Sequence, residues 1–583
     1  MTTWNLTPFY EAFDSLRFTE DMAALETRLT TFESWRPDSQ NPVGSCRDYL
    51  ALTEAIALLQ DRLLHFCELT YTADTSHPEA QKYLQRLEET GARTTAAEIG
   101  FISFLGGLES LAPLFEAAPD LEPHRFVLEE LQQQARHRLS PQEELLAARL
   151  KSCGSSAWEL LHSQITAELM LPFEDQEGPR QLTLSEVRAL ASSPSPFVRK
   201  KAYEAERAAY PAIASQAAFA LNAIKGEVLT LSQLRGYPSP LAEALTHSRL
   251  RPESLQAMLS AIRNRLPVLH RYLRHKAALL GHPGGLPFYD LFAPLGEAGR
   301  SFTLEEAEAM ILRLFGGFSK DLGAFAKQAF ESRWVDWLPR KGKVGGAFCS
   351  YCHPLKESRI LLNFTGTLDD ITTLAHELGH GYHNAQLTGE SIHNIDYPMP
   401  LAETASIFCE TLVVHGLMQE LSQAERAGIL ELRLQMITQV LADIYSRYLF
   451  EERVFEHRAQ YTLSAEELSR LMLTCQQEAY GDGLAADCLH PEMWICKPHY
   501  YSGSLSYYNF PYAFGLLFAT GLYSRYRRDP EHFAADYRKL LSLTGKQPVE
   551  AVAAAAGMDI TTEAFWEEAL DVIAEEVNAF IPS

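Results

Sequence analysis

The stretch 372–380 constrains this chain more than any other segment, because it specifies a helix and a chemistry together. His376 and His380 are four residues apart, so both project from one face of a helix. Neutral imidazoles on adjacent turns can bind a single metal ion. Glu377 lies beside that face, where its carboxylate can reach a water molecule on the metal without being a ligand. The pattern is typical of zinc-dependent hydrolases.

The segments around this stretch agree with a helix. Thr367, with Asp370 three residues later, forms a capping box that predicts where the helix begins. Before it, residues 347–351 and 360–364 have the composition of two short strands. After it, the apolar spacing of residues 401–418 predicts another helix.

A hydrolytic zinc site needs three protein ligands and one open position for water. A third ligand ten residues after His376 would give a metzincin-like site, but that position is Gln386. A glutamate on a following helix is the other common solution, and the candidates are Glu390, Glu403 and Glu410. Glu390 lies in a loop-like segment, whereas Glu403 is expected on the first turn of the next helix. We therefore predict that Glu403 is the ligand and that Glu410 orients a histidine ring by accepting its free N–H.

Charge and cysteine usage exclude several classes of protein. The formal net charge of -24 disfavours a nucleic-acid or anionic-membrane partner, because phosphate binding needs a basic surface. The nine cysteines are odd in number and scattered, unlike a disulfide framework. No basic segment followed by an apolar core opens the chain, and no apolar run reaches the roughly 18 residues that cross a bilayer. We expect a soluble, cytoplasmic protein.

The organisation of the chain is predominantly helical. Residues 8–165 show helical periodicity, and residues 169–184 predict a short hairpin, with Glu177 in its turn. The Ser- and Pro-rich segment 192–196 is the best candidate for a linker. We therefore expect an N-terminal helical domain with a short hairpin over 1–195 and a catalytic domain over 196–583.

Several motifs together carry a family resemblance. They surround the two-histidine helix and recur on a later loop. The chain resembles the oligoendopeptidase F and thimet-oligopeptidase family of zinc metallopeptidases, and the oligoendopeptidase F branch in particular. The resemblance is strongest over about 340–520, and its motifs are RILLNF at 359–364, LAHELGHGYH at 374–383, ETASIFCE at 403–410, PHYY at 498–501 and YYNFPYAFG at 507–515.

The resemblance implies a fold and a set of further site residues. The fold is mainly α, with two lobes around a deep channel, one zinc ion at its floor and a small β element beside the zinc helix. Such a channel admits short unfolded peptides. By motif position, His499, Tyr508 and Tyr512 face the zinc and stabilise the tetrahedral intermediate, although Tyr501 and Tyr507 are close enough for the assignment to shift.

Residue chemistry and resemblance converge on one leading hypothesis, a zinc-dependent endopeptidase of short oligopeptides. Zinc on His376, His380 and Glu403 would polarise water and the scissile carbonyl, while Glu377 moves the proton to the leaving amine. A strand near residues 347–350 would hold the peptide by edge pairing. Two alternatives stay open at this point. One is a carboxypeptidase or dipeptidyl peptidase on the same fold, and the other is a non-catalytic peptide-binding protein with a relic zinc site.

Overall fold

The computed structural model of the chain describes residues 2–175, 178–295 and 301–581. It confirms the predicted mainly helical fold with small sheets. The chain forms two compact units, and each is built from three separate stretches. Unit 1 comprises Met1–His137, Gly299–Glu420 and Arg525–Met558, and unit 2 comprises Arg138–Ala298, Leu421–Ser524 and Asp559–Ser583. The segment 192–196, which was expected to link two domains, lies inside unit 2, and the boundary at 195 stays a prediction.

The first stretch of unit 1 is a helical layer with an aromatic core. Pro42 and Pro78 each occupy the first turn of a helix, where the missing N–H costs no hydrogen bond. The Tyr10 ring packs edge to face on Phe18 of the first helix and on Phe66 of the second. The helices are α1 (Leu16–Ser34), α2 (Pro42–Ala73), α3 (Pro78–Gly106), α4 (Ala112–Ala117) and α5 (Arg125–Ala135).

The first stretch of unit 2 contains the predicted hairpin. Its antiparallel strands pair from Met170 with Thr183 to Asp175 with Gly178, whereas Glu177 lies outside the described residues. In chain order the elements are α6 (Pro141–Cys153), α7 (Ser155–Ala167), β1 (Met170–Asp175), β2 (Gly178–Thr183), α8 (Leu184–Ala189), α9 (Pro196–Ala209), α10 (Ala214–Leu234), α11 (Pro240–His247) and α12 (Pro252–Leu279).

The second stretch of unit 1 holds the small sheet and the two-histidine helix. The two predicted strands form within a few residues of their expected positions. A further two-residue strand pairs parallel to the second of them, so the strand order is β3-β5-β4. The elements are α13 (Leu304–Phe318), α14 (Lys320–Glu331), β3 (Val335–Asp336), β4 (Phe348–Cys352), β5 (Glu357–Leu361), α15 (Leu368–Ala385), α16 (Met399–Ala402) and α17 (Thr404–Met418).

The remaining helices complete both units. Capping boxes at Ser422 and Ser464 begin two of them. A π-helical turn, Gln439–Asp443, separates two helices of unit 2. The helices are α18 (Gln423–Thr438), α19 (Ile444–Arg458), α20 (Ala465–Tyr480), α21 (Phe510–Arg528), α22 (Pro530–Leu541), α23 (Val549–Ala555) and α24 (Glu563–Phe580).

Met399–Met418, which contains α16 and α17, is long and apolar enough to cross a membrane by length and composition alone. Within its apolar 18-residue window, 67% is buried inside the protein. Burial of this kind gives it the character of a core helix, and it also carries Glu403 and Glu410.

Candidate active site

A capping box and a buried apolar face fix the start and the rotation of helix α15. Thr367 Oγ1 accepts the backbone N–H of Asp370 at 3.2 Å, and the Asp370 carboxylate accepts the N–H of Thr367 at 2.9 Å. These two bonds satisfy donors that the first turn of a helix leaves unpaired. Leu374 and Leu378 are fully buried and fix the rotation of the helix. That rotation places the histidines together on one face.

Three candidate ligands meet at this face. His376 Nε2 lies 3.2 Å from Glu403 Oε2, and His380 Nε2 lies 3.5 Å from the same oxygen. The two imidazole rings are 4.9 Å apart and nearly perpendicular. Glu403 is the residue between α16 and α17, where it immediately precedes α17. The expectation that it lies in the first helical turn was therefore wrong by one position, because the chain bends between the two helices.

The close approach of α17 to α15 depends on Gly379. A Cβ atom at this position would lie 2.6 Å from both the Ala405 carbonyl oxygen and Ser406 Cα. Both are backbone atoms, which cannot rotate away. Ser406 also donates its hydroxyl to Glu403 Oε2 at 2.8 Å, which orients the carboxylate. Gly379 thus allows the helix with the histidines and the segment with the glutamate to come together.

The geometry of these ligands fits a zinc ion. Donor atoms at 2.0–2.2 Å from one tetrahedral centre are separated by about 3.3–3.5 Å. The two distances from Glu403 Oε2 to the imidazole nitrogens, 3.2 and 3.5 Å, match that spacing. Two imidazoles and one carboxylate are also the donor set of hydrolytic zinc sites with an open position.

Outer contacts direct the ligand nitrogens inward. His376 Nδ1 lies 3.4 Å from Glu410 Oε2, on the side of the ring opposite Glu403. The carbonyl of Ala402 faces the His380 ring and raises its pKa, against the larger effect of burial. Partners of this kind set the tautomer and the orientation of metal-binding histidines. Glu410 lies about one and a half turns along α17, within hydrogen-bond distance of the His376 ring.

The pKa values of the three candidate ligands are set by burial and by their contacts with one another. Burial disfavours the charged form of His376, but hydrogen bonds and charges from Glu403 and Glu410 outweigh it and raise the pKa to about 10. Burial lowers the pKa of His380 to about 4. Burial also opposes ionisation of Glu403, yet its histidine contacts hold its pKa at about 2. Proton binding at His376 therefore competes with metal binding at the same side chain.

The chemistry of Glu377 differs from that of the three candidate ligands. Its side chain is only 6% exposed. Burial, together with the nearby Glu403 charge, raises its pKa to about 7, although the charge of His376 works in the opposite direction. A carboxylate with a pKa near neutrality is suited to take up and release a proton at physiological pH.

His383 continues the face of α15 that carries the two histidines. It is fully buried one turn beyond His380. Its Nε2 lies 2.8 Å from Thr544 Oγ1, and its ring stacks on Tyr397 at 4.1 Å. Thr544 is 161 residues away in the chain. Because no local spacing links such distant residues, no sequence signal could have identified this contact.

The later loop lies in unit 2 and brings its own candidate residues together. His499 follows Pro498 in a 3₁₀ turn, and its ring centroid lies 5.9 Å from that of Tyr508. The hydroxyls of Tyr508 and Tyr512 share a hydrogen bond of 2.9 Å. Burial, reinforced by the positive charges of Arg447 and Lys497, lowers the pKa of His499 to about 4. His499 is therefore neutral at physiological pH.

The two tyrosines that made this assignment uncertain are packed elsewhere. The Tyr501 ring stacks on the His162 ring with a distance of 3.4 Å between the ring centroids, and Tyr501 is 1% exposed. Tyr507 is 5% exposed and stacks on Phe455 at 5.6 Å. By contrast, Tyr508 is only half-buried. The packing therefore favours Tyr508 over its neighbours as the chemically available side chain.

Comparisons with known proteins extend these observations. The sequence profile described as "Peptidase family M3" matches residues 189–572, and that described as "Oligopeptidase F" matches residues 108–170. An oligoendopeptidase F homolog of Lactococcus lactis is 26% identical over 99% of this chain and 96% of its own length. Oligopeptidase PepF of Bacillus subtilis is 27% identical over 79% of this chain and 69% of its own length.

Solved structures resemble this fold over nearly its whole length. A structure from Chlamydophila abortus has a TM-score of 0.87 at 23% identity, covering 99% of this chain and 98% of that one. Oligoendopeptidase-F from Enterococcus faecium has a TM-score of 0.72 at 20% identity, covering 97% of this chain and 98% of that one.

Proposed function

The chain belongs to peptidase family M3, in its oligopeptidase F branch, and from this premise we propose that it is a zinc-dependent endopeptidase that cuts internal bonds of short, unfolded peptides. That it is a metallopeptidase of the oligoendopeptidase F type follows from the family. The observation that supports zinc-dependent hydrolysis is the convergence of His376, His380 and Glu403 on one point, with the charges of His376 and Glu403 acting on Glu377; the preference for internal bonds of short peptides is proposed from the relatives' names.

His376, His380 and Glu403 are the residues that would hold the metal, as one zinc ion per chain. When bound, zinc supplies a Lewis acid that lowers the pKa of water and polarises a carbonyl group. The protein fixes the three donors through Ser406, Glu410 and the backbone around Ala402. All three metal-binding side chains already lie together, so the site is preorganised.

Glu377 acts as the general base and then as the general acid. It takes a proton from the attacking water as the oxygen bonds to the peptide carbonyl carbon. It returns that proton to the leaving amine as the carbon–nitrogen bond breaks. A buried carboxylate with a pKa of about 7 can hold a proton transiently between these two steps. Glutamine at this position would keep the shape of the side chain but not the chemistry.

His499 and Tyr508 are proposed to stabilise the negative charge that develops on the carbonyl oxygen, with Tyr512 in support. A neutral imidazole and a phenol are both hydrogen-bond donors at pH 7. The hydrogen bond between Tyr508 and Tyr512 orients the two hydroxyls relative to each other. Preorganised donors of this kind contribute more than donors that must be reoriented during the reaction.

Strand β4 is the proposed docking edge for an extended peptide. Among the described residues it pairs with β5 on one side only, so its other side has main-chain groups available. Pairing through main-chain hydrogen bonds recognises a peptide without requiring a particular side chain.

We also propose a cytoplasmic location. All nine cysteines lie in the described ranges and none of them forms a disulfide there, which is in keeping with a reducing compartment.

The test is a digest of peptides of five to about twenty residues whose two ends are chemically blocked. Mass spectrometry of the products from zinc-loaded protein should show internal cuts, and the same digest with Glu377→Gln should show none. Products that appear only after one end is unblocked would instead establish an exopeptidase. Absence of any product across a varied library would favour a peptide-binding protein.

A further inference from the structure

Helix α19 contacts the loop of His499 and Tyr508 at several successive points. The hydroxyl of Tyr500, the residue after His499, donates to the Arg447 carbonyl oxygen at 3.5 Å. The Tyr500 ring also packs on Phe450 at 5.0 Å. Both Arg447 and Phe450 belong to α19. The helix therefore holds the backbone immediately beside the candidate histidine.

The same helix holds both residues that flank Tyr508. On one side, the Tyr507 ring lies against Tyr448 at 5.5 Å and Phe455 at 5.6 Å. On the other side, Asn509 Oδ1 accepts a hydrogen bond of 3.3 Å from Arg447 Nη1. Tyr508 thus lies between two anchors on one rigid element.

The backbone of this loop is constrained where the anchors act. Tyr507 has a φ of +55°, in the left-handed region that a bulky residue adopts only at a cost in free energy. The contacts of its ring with α19 compensate for that cost. The carbonyl of Asn509 accepts the N–H of Tyr512 at 3.2 Å, so Asn509 also sets the start of α21. Through Asn509, the positions of Tyr508 and Tyr512 are coupled.

Arg447 is itself fixed by a buried ion pair. It donates to the carboxylate of Asp443, and their side chains are 12% and 4% exposed. Asp443 ends the π-helical turn Gln439–Asp443 that precedes α19. Such turns occur frequently at functional sites, where the extra residue redirects side chains. Here the turn supplies the carboxylate that aims the Arg447 guanidinium.

We propose that Arg447 and Asn509 are positioning residues that hold Tyr508, and with it Tyr512, in the orientation needed for the oxyanion role. The inference rests on the proposed function of that loop. Neither residue is asked to touch the substrate; they act through Tyr508. Loss of the anchor should lower the rate of the chemical step, because small displacements of a catalytic group cost about 100-fold. Substrate affinity should change little.

The experiment uses the full-length, zinc-loaded protein and one internally quenched peptide. Asn509→Ala removes the hydrogen-bond acceptor and leaves the Arg447–Asp443 ion pair intact. We expect kcat to fall about 10- to 100-fold while KM stays within about threefold. Asn222→Ala is the matched control, since Asn222 is an equally buried asparagine of unit 2 that bonds Leu463 and Ala218. That variant should lose stability and keep its kcat.

A double-mutant cycle separates positioning from general damage. If Asn509 acts through Tyr508, then Asn509→Ala should have little further effect on kcat in a Tyr508→Phe background. Fully additive losses would overturn the inference, as would a kcat for Asn509→Ala within threefold of the parent. Should Asn509→Ala not fold, Arg447→Lys serves instead, because lysine keeps the charge opposite Asp443 but lacks the fork that reaches Asn509. It should show the same split between kcat and KM.

The Tyr508→Phe variant alone distinguishes two kinds of failure. An impaired Tyr508→Phe with an unimpaired Asn509→Ala would refute only the positioning role. A fully active Tyr508→Phe would refute the proposed role of the loop, and the positioning role with it.

Discussion

Replacing Gly379 with alanine tests whether the contact between α15 and α17 creates the metal site. The new methyl group would lie 2.6 Å from the Ala405 carbonyl oxygen and from Ser406 Cα. Carbon atoms in contact are normally separated by about 3.5–4.0 Å. Because both neighbours are backbone, the two elements must move apart by about 1 Å. Glu403 lies two residues before Ala405, so it moves with these residues.

A movement of that size is large for a metal site. Ligand distances in functional sites hold to about 0.2 Å. A displaced third ligand should therefore weaken zinc binding by at least about 10-fold, the loss seen when a supporting contact is removed. Overpacking of this kind also costs about 1–3 kcal/mol of unfolding free energy. Both effects should appear together in Gly379→Ala.

The assay is competition between apoprotein and a chromogenic chelator, with urea unfolding of the same samples. The control is Gly91→Ala in α3, where no described atom lies within 4 Å of the added Cβ. That variant should bind zinc like the parent and gain up to about 1 kcal/mol of stability, because alanine is the better helix former. Parental zinc affinity in Gly379→Ala would refute the reasoning that this glycine sets the ligand spacing.

Three further predictions concern acid stability, ligand orientation and the metal. Burial lowers the pKa of His383 to about 3, whereas an unfolded histidine ionises near 6.5, so the unfolded chain binds the proton first. Between pH 7 and pH 5, His383 should therefore lower the free energy of unfolding by about 2 kcal/mol. The urea concentration at the midpoint of unfolding should fall more steeply with decreasing pH in the parent than in His383→Gln. An equal fall in both proteins would contradict this. Glu410→Gln should weaken zinc binding about 10-fold yet keep kcat at saturating zinc, whereas an unchanged affinity would show that Glu410 does not support His376. Removal of zinc by a chelator should abolish hydrolysis. It should also lower the free energy of unfolding by about 2.7 kcal/mol relative to protein kept in free zinc at 100 times the Kd for zinc. Activity that survives chelation would exclude a metal mechanism.

Features with a local cause could be predicted from the sequence. The capping box of Thr367 and Asp370 involves neighbouring residues, so its pattern specified where α15 begins. The pairing of His376 with His380 follows from helical geometry in the same way. Glu403 was chosen because a glutamate on the first turn of a following helix can face the two histidines, and the structure places it one position before that helix.

Features that depend on distant residues could not be predicted in this way. Thr544 meets His383 across 161 residues, and no periodicity records that distance. The anchoring of Asn509 by Arg447 depends on how a π-helical turn aims one side chain, which composition does not encode. The two units are likewise each assembled from separated stretches, so a linear reading could not divide the chain as its contacts do.

The most direct test of the proposed mechanism is to measure bound zinc and kcat in one preparation of Glu377→Gln. Glutamine retains the shape of the side chain and leaves His376, His380 and Glu403 untouched. We predict one zinc ion per chain, as in the parent, with kcat lowered about 100- to 10,000-fold by the loss of the proton carrier. Near-parental kcat with zinc bound would contradict the role of Glu377 as general base.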